Sequence, residues 1–561
     1  MTPIDAGAAG PGGVDEPDQT ARAVGGERAL AAAVTALAVA LHVRFLLHAG
    51  PLWRDEATTT AVANLPTVGD YLRERPNDSF PVVWHAVVRC WQRVGTGGTD
   101  HALRALGLGV GLLTLAALWR TARAFGARSP VASLLLLGLS PTAICFGDSL
   151  RAYGAGMLAG LLSMAAVFGV TQATGRRQLV VAVAGALVAS LVSVHTLFQN
   201  ATWLLATCVA AAALCAWAGR RKRAVAVLGV GAVCAASLLV YVPMLRERAQ
   251  FAPMLVYPTS PGRVWAVLSQ ALADAPLGGR GTRETVWVCV VAAAVILAAS
   301  ALRDSRPAKA GPARRRSDAA AFCLLTLTVG IPAYFGFMVA LRYAMQPFYF
   351  LSLMAMAAAC VDGLLAGGLR ATARVPVAAG LCLIGVVALP SAWVVAGMRM
   401  SNVDLAAACL SRSVAPGDVV VVTPYWLSVS LVRYYHGPAE LLTVPPVPEL
   451  RFQKHLAFFR QLHDPHALDP LLSRLEQAAR TGHRAWVVQM PWEPVNWDPN
   501  ASPHEPPPTV WNDAAFYRYW NLQVGQTLRR AFDVTSATPV PLDAGGPINP
   551  FEEMQVLRVG R

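Results

Sequence analysis

Residues 36–56 read ALAVALHVRFLLHAGPLWRDE. An apolar run of membrane-helix character gives way there to a polar corner, Trp53-Arg54-Asp55-Glu56. Two adjacent carboxylates beside hydrocarbon are costly, because charge near lipid has to be solvated or paired. The corner is therefore either a solvated interfacial loop or a place where chemistry is done. What surrounds it bears on the choice.

The chain has 561 residues, of which 55% are hydrophobic and 14% charged. A soluble globular chain carries about 25% charged residues, so the deficit points to a membrane protein. A helix needs about 20 apolar residues to cross the hydrocarbon. That length finds eleven candidate spans, at 29–49, 101–121, 130–147, 152–172, 179–197, 200–218, 224–244, 285–302, 319–341, 345–366 and 375–396. The expected fold class is mainly α: a polytopic helical bundle with a C-terminal extracytoplasmic α/β domain.

The formal net charge of +14 could suggest a nucleic-acid partner. Its placement argues against one. Basic residues cluster between apolar runs, as at Arg176-Arg177, Arg220-Arg221-Lys222-Arg223 and Arg314-Arg315-Arg316. That is the positive-inside pattern of cytoplasmic loops, and no nucleic-acid-binding motif accompanies it. With the N-terminus inside, Arg120, Arg123 and Arg128, Arg303, Arg306 and Lys309, and Arg370 and Arg374 also fall on the cytoplasmic side. The ten cysteines give no metal spacing and lie mostly inside apolar spans, so no structural disulfide is expected.

Residues 1–28 read as a disordered cytoplasmic tail, rich in Gly, Ala and Pro and without a cleavage-site pattern after the first apolar run. Residues 29–396 form the membrane module. Its two larger outside loops are 50–100, where Pro81 to Val94 has the spacing of an interfacial helix, and 245–284, with Arg246, Arg248, Arg263, Arg280 and Arg283. Residues 397–561 have ordinary polarity. Asp418 to Val422 and Trp486 to Val488 read as buried strands, and Leu405 to Ser411 and His466 to Ala479 as helices.

This topology collects polar groups at one level, the outer rim: Asp55, Glu56, Asn77, Asp78, Asp148, Arg151, Tyr153, His195, Gln199, Asn200, Arg342 and Tyr343. A lipid-linked substrate presents its head group at that level. Glycosyl transfer needs a carboxylate to take the proton of an acceptor hydroxyl and cations to stabilise a departing phosphate. An ion-coupled transporter would keep ionisable groups near the midplane, where this chain has few.

The order of these features resembles the GT-C glycosyltransferases of the protein mannosyltransferase and aminoarabinose transferase-like group. Asp55-Glu56 follows the first span, where the family has its Asp-Glu motif. Pro81-Val82-Val83-Trp84, ending in Arg89-Cys90-Trp91, resembles the family's His-Pro-Pro-Leu-Tyr-Tyr run. Ser140-Pro141 with Gly147-Asp148-Ser149-Leu150-Arg151-Ala152-Tyr153 resembles its Ser-Arg-Glu-Ala-Arg-x-Tyr turn, and Arg342-Tyr343 resembles its late Arg-Tyr. Phe80 stands in place of the family's His, Val82 in place of its second Pro, and Ser149 in place of its Glu.

The resemblance implies an inverting transfer from a polyprenyl-phosphate-linked sugar donor to a glycan, lipid or protein acceptor at the cell membrane. It implies Asp55 as general base and Glu56 as an orienting group. Arg151, Tyr153, Arg342 and Tyr343 would hold the donor, with Asp78, Asp148 and His195 as acceptor or structural residues. Asp55, Glu56 and Asp148 are the candidates for a divalent cation, since hard cations prefer carboxylate oxygens. A lipid-linked-sugar flippase and an inactive envelope-assembly scaffold stay open beside the enzyme.

Overall fold

The computed structural model describes residues 16–78, 80–252, 259–273, 282–304, 311–369, 371–506 and 513–560. Arg280, Arg306, Lys309, Arg370 and the first fifteen residues of the expected tail lie outside them.

The chain opens with α1 (Glu16–His48), α2 (Arg54–Ala63), α3 (Val68–Glu74), α4 (Val82–Gln92) and α5 (Asp100–Ala124). Residues 16–28, expected as part of the tail, are thus helical. Among the described residues, nine helices are long and apolar enough to cross a membrane. A bent pair, Ala373–Val386 with Leu389–Ala396, would make a tenth.

One of the eleven expected spans, 130–147, is broken instead. A π turn over Leu134–Gly138 ends one piece. A second helix, Pro141–Gly147, starts where Ser140 Oγ caps the amide of Ala143 at 3.3 Å. Proline has no amide to continue the first helix and suits the start of the second. Both pieces are buried inside the bundle.

The basic clusters gather at the end of the bundle away from the C-terminal domain. Arg315 donates to the carbonyl of Ala124, and Arg220 and Arg223 to that of Thr171. The opposite end of α5 begins at Asp100, which Arg433 and Tyr434 of the C-terminal domain bind at 2.7 and 2.6 Å. A 25-residue helix spans about 37 Å, so the two charge environments are a membrane thickness apart.

The C-terminal domain holds a five-stranded sheet of order β2-β1-β3-β5-β4. The strands are β1 (Val419–Thr423), β2 (Glu440–Thr443), β3 (Ala485–Gln489), β4 (Thr538–Val540) and β5 (Gln555–Val559). β1 pairs in parallel with β2 and β3, with Val420 opposite Trp486, and β5 runs antiparallel to β3 and β4. Helices cover both faces. Val419 and Val421 pack with Leu471, Leu475 and Trp520, whereas Val420 and Val422 pack with Ala406, Leu410 and Leu431. Burial on both sides explains the unbroken valine run of β1.

Candidate active site

The site is the corner between α1 and α2. Trp53 precedes α2 and is 1% exposed, with its ring among Phe146, Phe348 and Phe551 at 6.3–6.4 Å. Glu56, in the first turn, accepts from the amide of Trp53 at 3.3 Å and so helps to cap the helix. Its other oxygen, Oε1, accepts from Arg104 Nη1 at 2.5 Å and from the amide of Leu150 at 3.0 Å. The Glu56 side chain has no exposed surface. It ties α2 to α5 and to the 147–152 turn, and presents no oxygen to a substrate.

Asp55 differs. Its side chain is 20% exposed and its ion pairs are long, 3.5 Å to Arg54 Nε and 3.9 Å to Arg151 Nε. Arg151 is bound from several sides at once. Its Nη1 donates to Asp78 Oδ1 at 2.6 Å, to Thr59 Oγ1 at 2.9 Å and to the carbonyl of Asp55 at 3.1 Å. Its guanidinium also lies 4.4 Å from the centre of the Phe80 ring. Phe80 thus supplies a cation–π face where the resembling family has histidine.

Asp78 is the hub behind Arg151. Its Oδ2 accepts from Thr59 Oγ1 at 2.8 Å and meets His85 Nε2 at 3.0 Å, and His85 Nδ1 lies 3.3 Å from the Tyr71 hydroxyl. Burial alone would push the Asp78 carboxyl up. Arg151 and His85 outweigh it and hold the group well below the ordinary carboxylate range. Burial works against the charge on Arg151 too, and Asp78 and Asp55 more than restore it.

Asp148 faces elsewhere. Its Oδ2 meets His42 Nδ1 of α1 at 2.7 Å, and both residues are buried. Gly107 and Gly111, one turn apart on α5, allow this approach. A Cβ at Gly107 would lie 1.9 Å from the Asp148 carbonyl oxygen, and one at Gly111 2.1 Å from Asp148 Oδ1. Small residues at i and i+4 let membrane helices come this close.

Asp55, Glu56 and Asp148 do not form a ligand set: Glu56 is held by Arg104 and Asp148 by His42. Among the described residues no group of three or more His, Cys, Asp or Glu is placed to hold a metal ion. The residues named for a divalent cation do not fit one as they stand.

Tyr153 is buried at the start of the helix Ala152–Gln172, its ring 5.1 Å from Phe348, 5.3 Å from Phe80 and 5.9 Å from Tyr349. Tyr343 lies 6.2 Å from Tyr349 and carries the Arg248 guanidinium at 5.1 Å. Arg342 ends the helix Pro312–Leu341 in a left-handed conformation (φ 46°) and is exposed, with no ion pair among the described residues. His195 meets the Tyr241 hydroxyl at 2.7 Å and Ser237 Oγ at 3.0 Å, and its carbonyl accepts from Val83.

Several residues here were missed in the sequence. Arg104 had a usable signal, a basic residue in the first turn of an apolar span. So did His42 inside the first span. His85, Trp426 and Glu552 had none. The last two reach the corner from the C-terminal domain: the Arg54 guanidinium lies 3.9 Å from the Trp426 ring, and Glu552 accepts from the Arg54 amide at 2.5 Å.

A many-helix apolar bundle with an acidic corner under a C-terminal α/β domain is the GT-C type of membrane fold. The chain is similar to ArnT from Cupriavidus metallidurans in the apo state, with a TM-score of 0.50 and 13% identity over 93% of this chain and 96% of that one. The same protein bound to undecaprenyl phosphate gives 0.49 and 12% over 94% and 97%. An oligosaccharyltransferase from Archaeoglobus fulgidus in complex with Zn and sulfate gives 0.47 and 12% over 82% and 68%. No protein-family profile and no curated protein matches the sequence. At these identities the likeness is one of fold.

Proposed function

We propose that the chain is an integral membrane glycosyltransferase. It takes a sugar from a polyprenyl-phosphate donor and passes it to an acceptor at the outer face of the membrane. The basic clusters far from the C-terminal domain support a cytoplasmic N-terminus and an extracytoplasmic C-terminal domain.

The observation that carries the reading is the contrast among four rim carboxylates. The side chains of Glu56, Asp78 and Asp148 are 0%, 1% and 3% exposed and bound to Arg104, Arg151 and His42. That of Asp55 is 20% exposed, with ion pairs no shorter than 3.5 Å. Asp55 is the member of the set free to take a proton.

In the proposed reaction Asp55 removes the proton of an acceptor hydroxyl. The oxygen attacks the anomeric carbon from the face opposite the phosphate. The carbon–oxygen bond to phosphate breaks, and the polyprenyl phosphate leaves with the electron pair and with its negative charge increased. Attack from the opposite face inverts the anomeric centre. Arg342, exposed at a helix end, and Arg248 beside Tyr343 would meet the phosphate. Arg151 and its buried partners fix the position of Asp55, and Tyr153 lines the donor side.

The test is transfer by purified protein from a panel of polyprenyl-phosphate sugars. Removing a general base costs about 10²–10⁴-fold, so Asp55→Asn is expected to lose that much transfer while still binding donor. Full transfer by Asp55→Ala would end the assignment. Movement of donor across vesicles without its consumption would indicate a transporter instead.

A further inference from the structure

We infer that the C-terminal domain provides an acceptor subsite for a saccharide at the carboxyl ends of β1 and β3, built from Trp426, Trp492 and Arg54. The inference rests on the reading of Asp55 as the base, because the subsite ends at that residue.

Strand order comes first. β1 lies between β2 and β3, and all three are parallel. The chain passes from β1 to β2 through the helix Ser428–Tyr434 and from β2 to β3 through the helix Asp469–Arg480. Leu431 of the first packs with Val420 and Val422, whereas Leu471 and Leu475 of the second pack with Val419 and Val421. The two crossovers therefore lie on opposite faces of the sheet and diverge at the β1–β3 boundary. Open α/β sheets bind ligands beyond the carboxyl ends of the strands at such a switch point.

Both strands deliver an indole there. β1 runs into Pro424-Tyr425-Trp426 and β3 into Met490-Pro491-Trp492. The two rings are 6.3 Å apart between centres, with planes 30° from parallel. Trp492 is 59% exposed, and its Nε1 donates to the Pro550 carbonyl at 3.3 Å, which holds one edge of the ring.

Trp426 carries Arg54 at 3.9 Å, and Arg54 Nη1 is buried without a hydrogen-bond partner among the described residues. Arg54 Nε is 3.5 Å from Asp55 Oδ1. Along the chain of contacts that starts at the exposed Trp492 ring, the order is indole, indole, guanidinium, carboxylate.

That order suits a saccharide. A sugar ring has an apolar C–H face, which lies on an indole, and hydroxyl edges, which accept from a guanidinium and give a proton to a carboxylate. An apolar peptide side chain would ask for a closed pocket, and an extended peptide for a free strand edge. Trp492 offers an open face instead.

The experiment uses the full chain in detergent or nanodiscs. Calorimetry with neutral manno-, gluco-, galacto- and arabino-oligosaccharides is expected to show binding by the wild type and its loss in Trp492→Ala. In transfer assays Trp492→Ala is expected to raise the acceptor KM about tenfold, the worth of one aromatic contact, with a smaller change in donor KM. Trp492→Phe should fall between the two.

The inference is overturned if no oligosaccharide binds, if Trp492→Ala and Trp492→Lys leave binding and acceptor KM unchanged, or if a hydroxyl-bearing peptide saturates the enzyme and no saccharide does. Full transfer by Asp55→Asn would remove the base assignment alone, since saccharide binding by Trp492 is measured without turnover.

Discussion

Replacing Arg104 by methionine separates the two carboxylates of the corner. Arg104 Nη1 holds Glu56 Oε1 at 2.5 Å, and Arg104 Nη2 donates to the Pro51 carbonyl at 2.7 Å. Arg104 is 5% exposed and the Glu56 side chain 0%, so water cannot take over either role. Arg104→Met therefore leaves a buried carboxylate with only the amides of Leu150 and Trp53. Breaking a buried pair from one side costs about 3–5 kcal/mol, much of it the stranded charge. Adding Glu56→Gln removes that charge and keeps an oxygen for the two amides. The double variant should therefore regain a large part of the loss, with a coupling of about 1–3 kcal/mol.

The measurement is denaturant unfolding in detergent micelles, followed by tryptophan fluorescence, for the four proteins of the cycle. Asp55→Asn, measured alongside, should unfold close to the wild type, because its side chain makes no short ion pair. Wild-type stability in Arg104→Met, or a double variant no better than the sum of its parts, would refute the assignment of Glu56 to the scaffold.

Asp78→Asn should loosen Arg151 and lower transfer, and it also has a pH signature. A carboxyl held below its ordinary range binds fewer protons in the native state, so its stabilisation is present above about pH 4 and lost as pH falls. Unfolding of Asp78→Asn should accordingly respond less to acid than that of the wild type. Glu552 has the opposite sign. Burial raises it from 4.5 to about 7, against the pull of Arg54, so the native state holds the extra proton and stability falls as pH rises through that window. Glu552→Gln should flatten the fall, as read from melting midpoints between those pH values. Gly111→Ala places a methyl 2.1 Å from Asp148 Oδ1 and should lower the melting midpoint, with overpacking costing about 1–3 kcal/mol. Gly109→Ala, on the same helix with nothing within 4 Å, is the control and should hold or gain stability.

The bundle was legible because apolar length is a direct reading of hydrocarbon thickness. Residues 130–147 show the limit of that ruler. Their composition satisfies a span, while Ser140-Pro141 starts a new helix and the neighbouring helices bury both halves. In the corner, an acidic pair at the end of an apolar run could be read. The direction taken by Glu56 could not, since it depends on Arg104, 48 residues away. Glu552 lies 498 residues from Arg54, and no period or spacing links positions so distant.

The order Arg54, Asp55, Glu56 itself explains how one short stretch serves three environments. Successive residues of an α-helix are rotated by about 100°, so three neighbours point in three directions. Arg54 reaches the C-terminal domain, its guanidinium on Trp426 and its amide on Glu552. Glu56 turns into the bundle to Arg104. Asp55 is left between them, partly exposed, with Arg151 behind it. Shifting the register by one residue would turn Asp55 into the buried place that Glu56 holds beside Arg104. The helix start is correspondingly fixed from both sides, by the Glu56 bond to the Trp53 amide and the Glu552 bond to the Arg54 amide. The C-terminal domain is thus part of the corner, reaching Arg54 through Trp426 and Glu552.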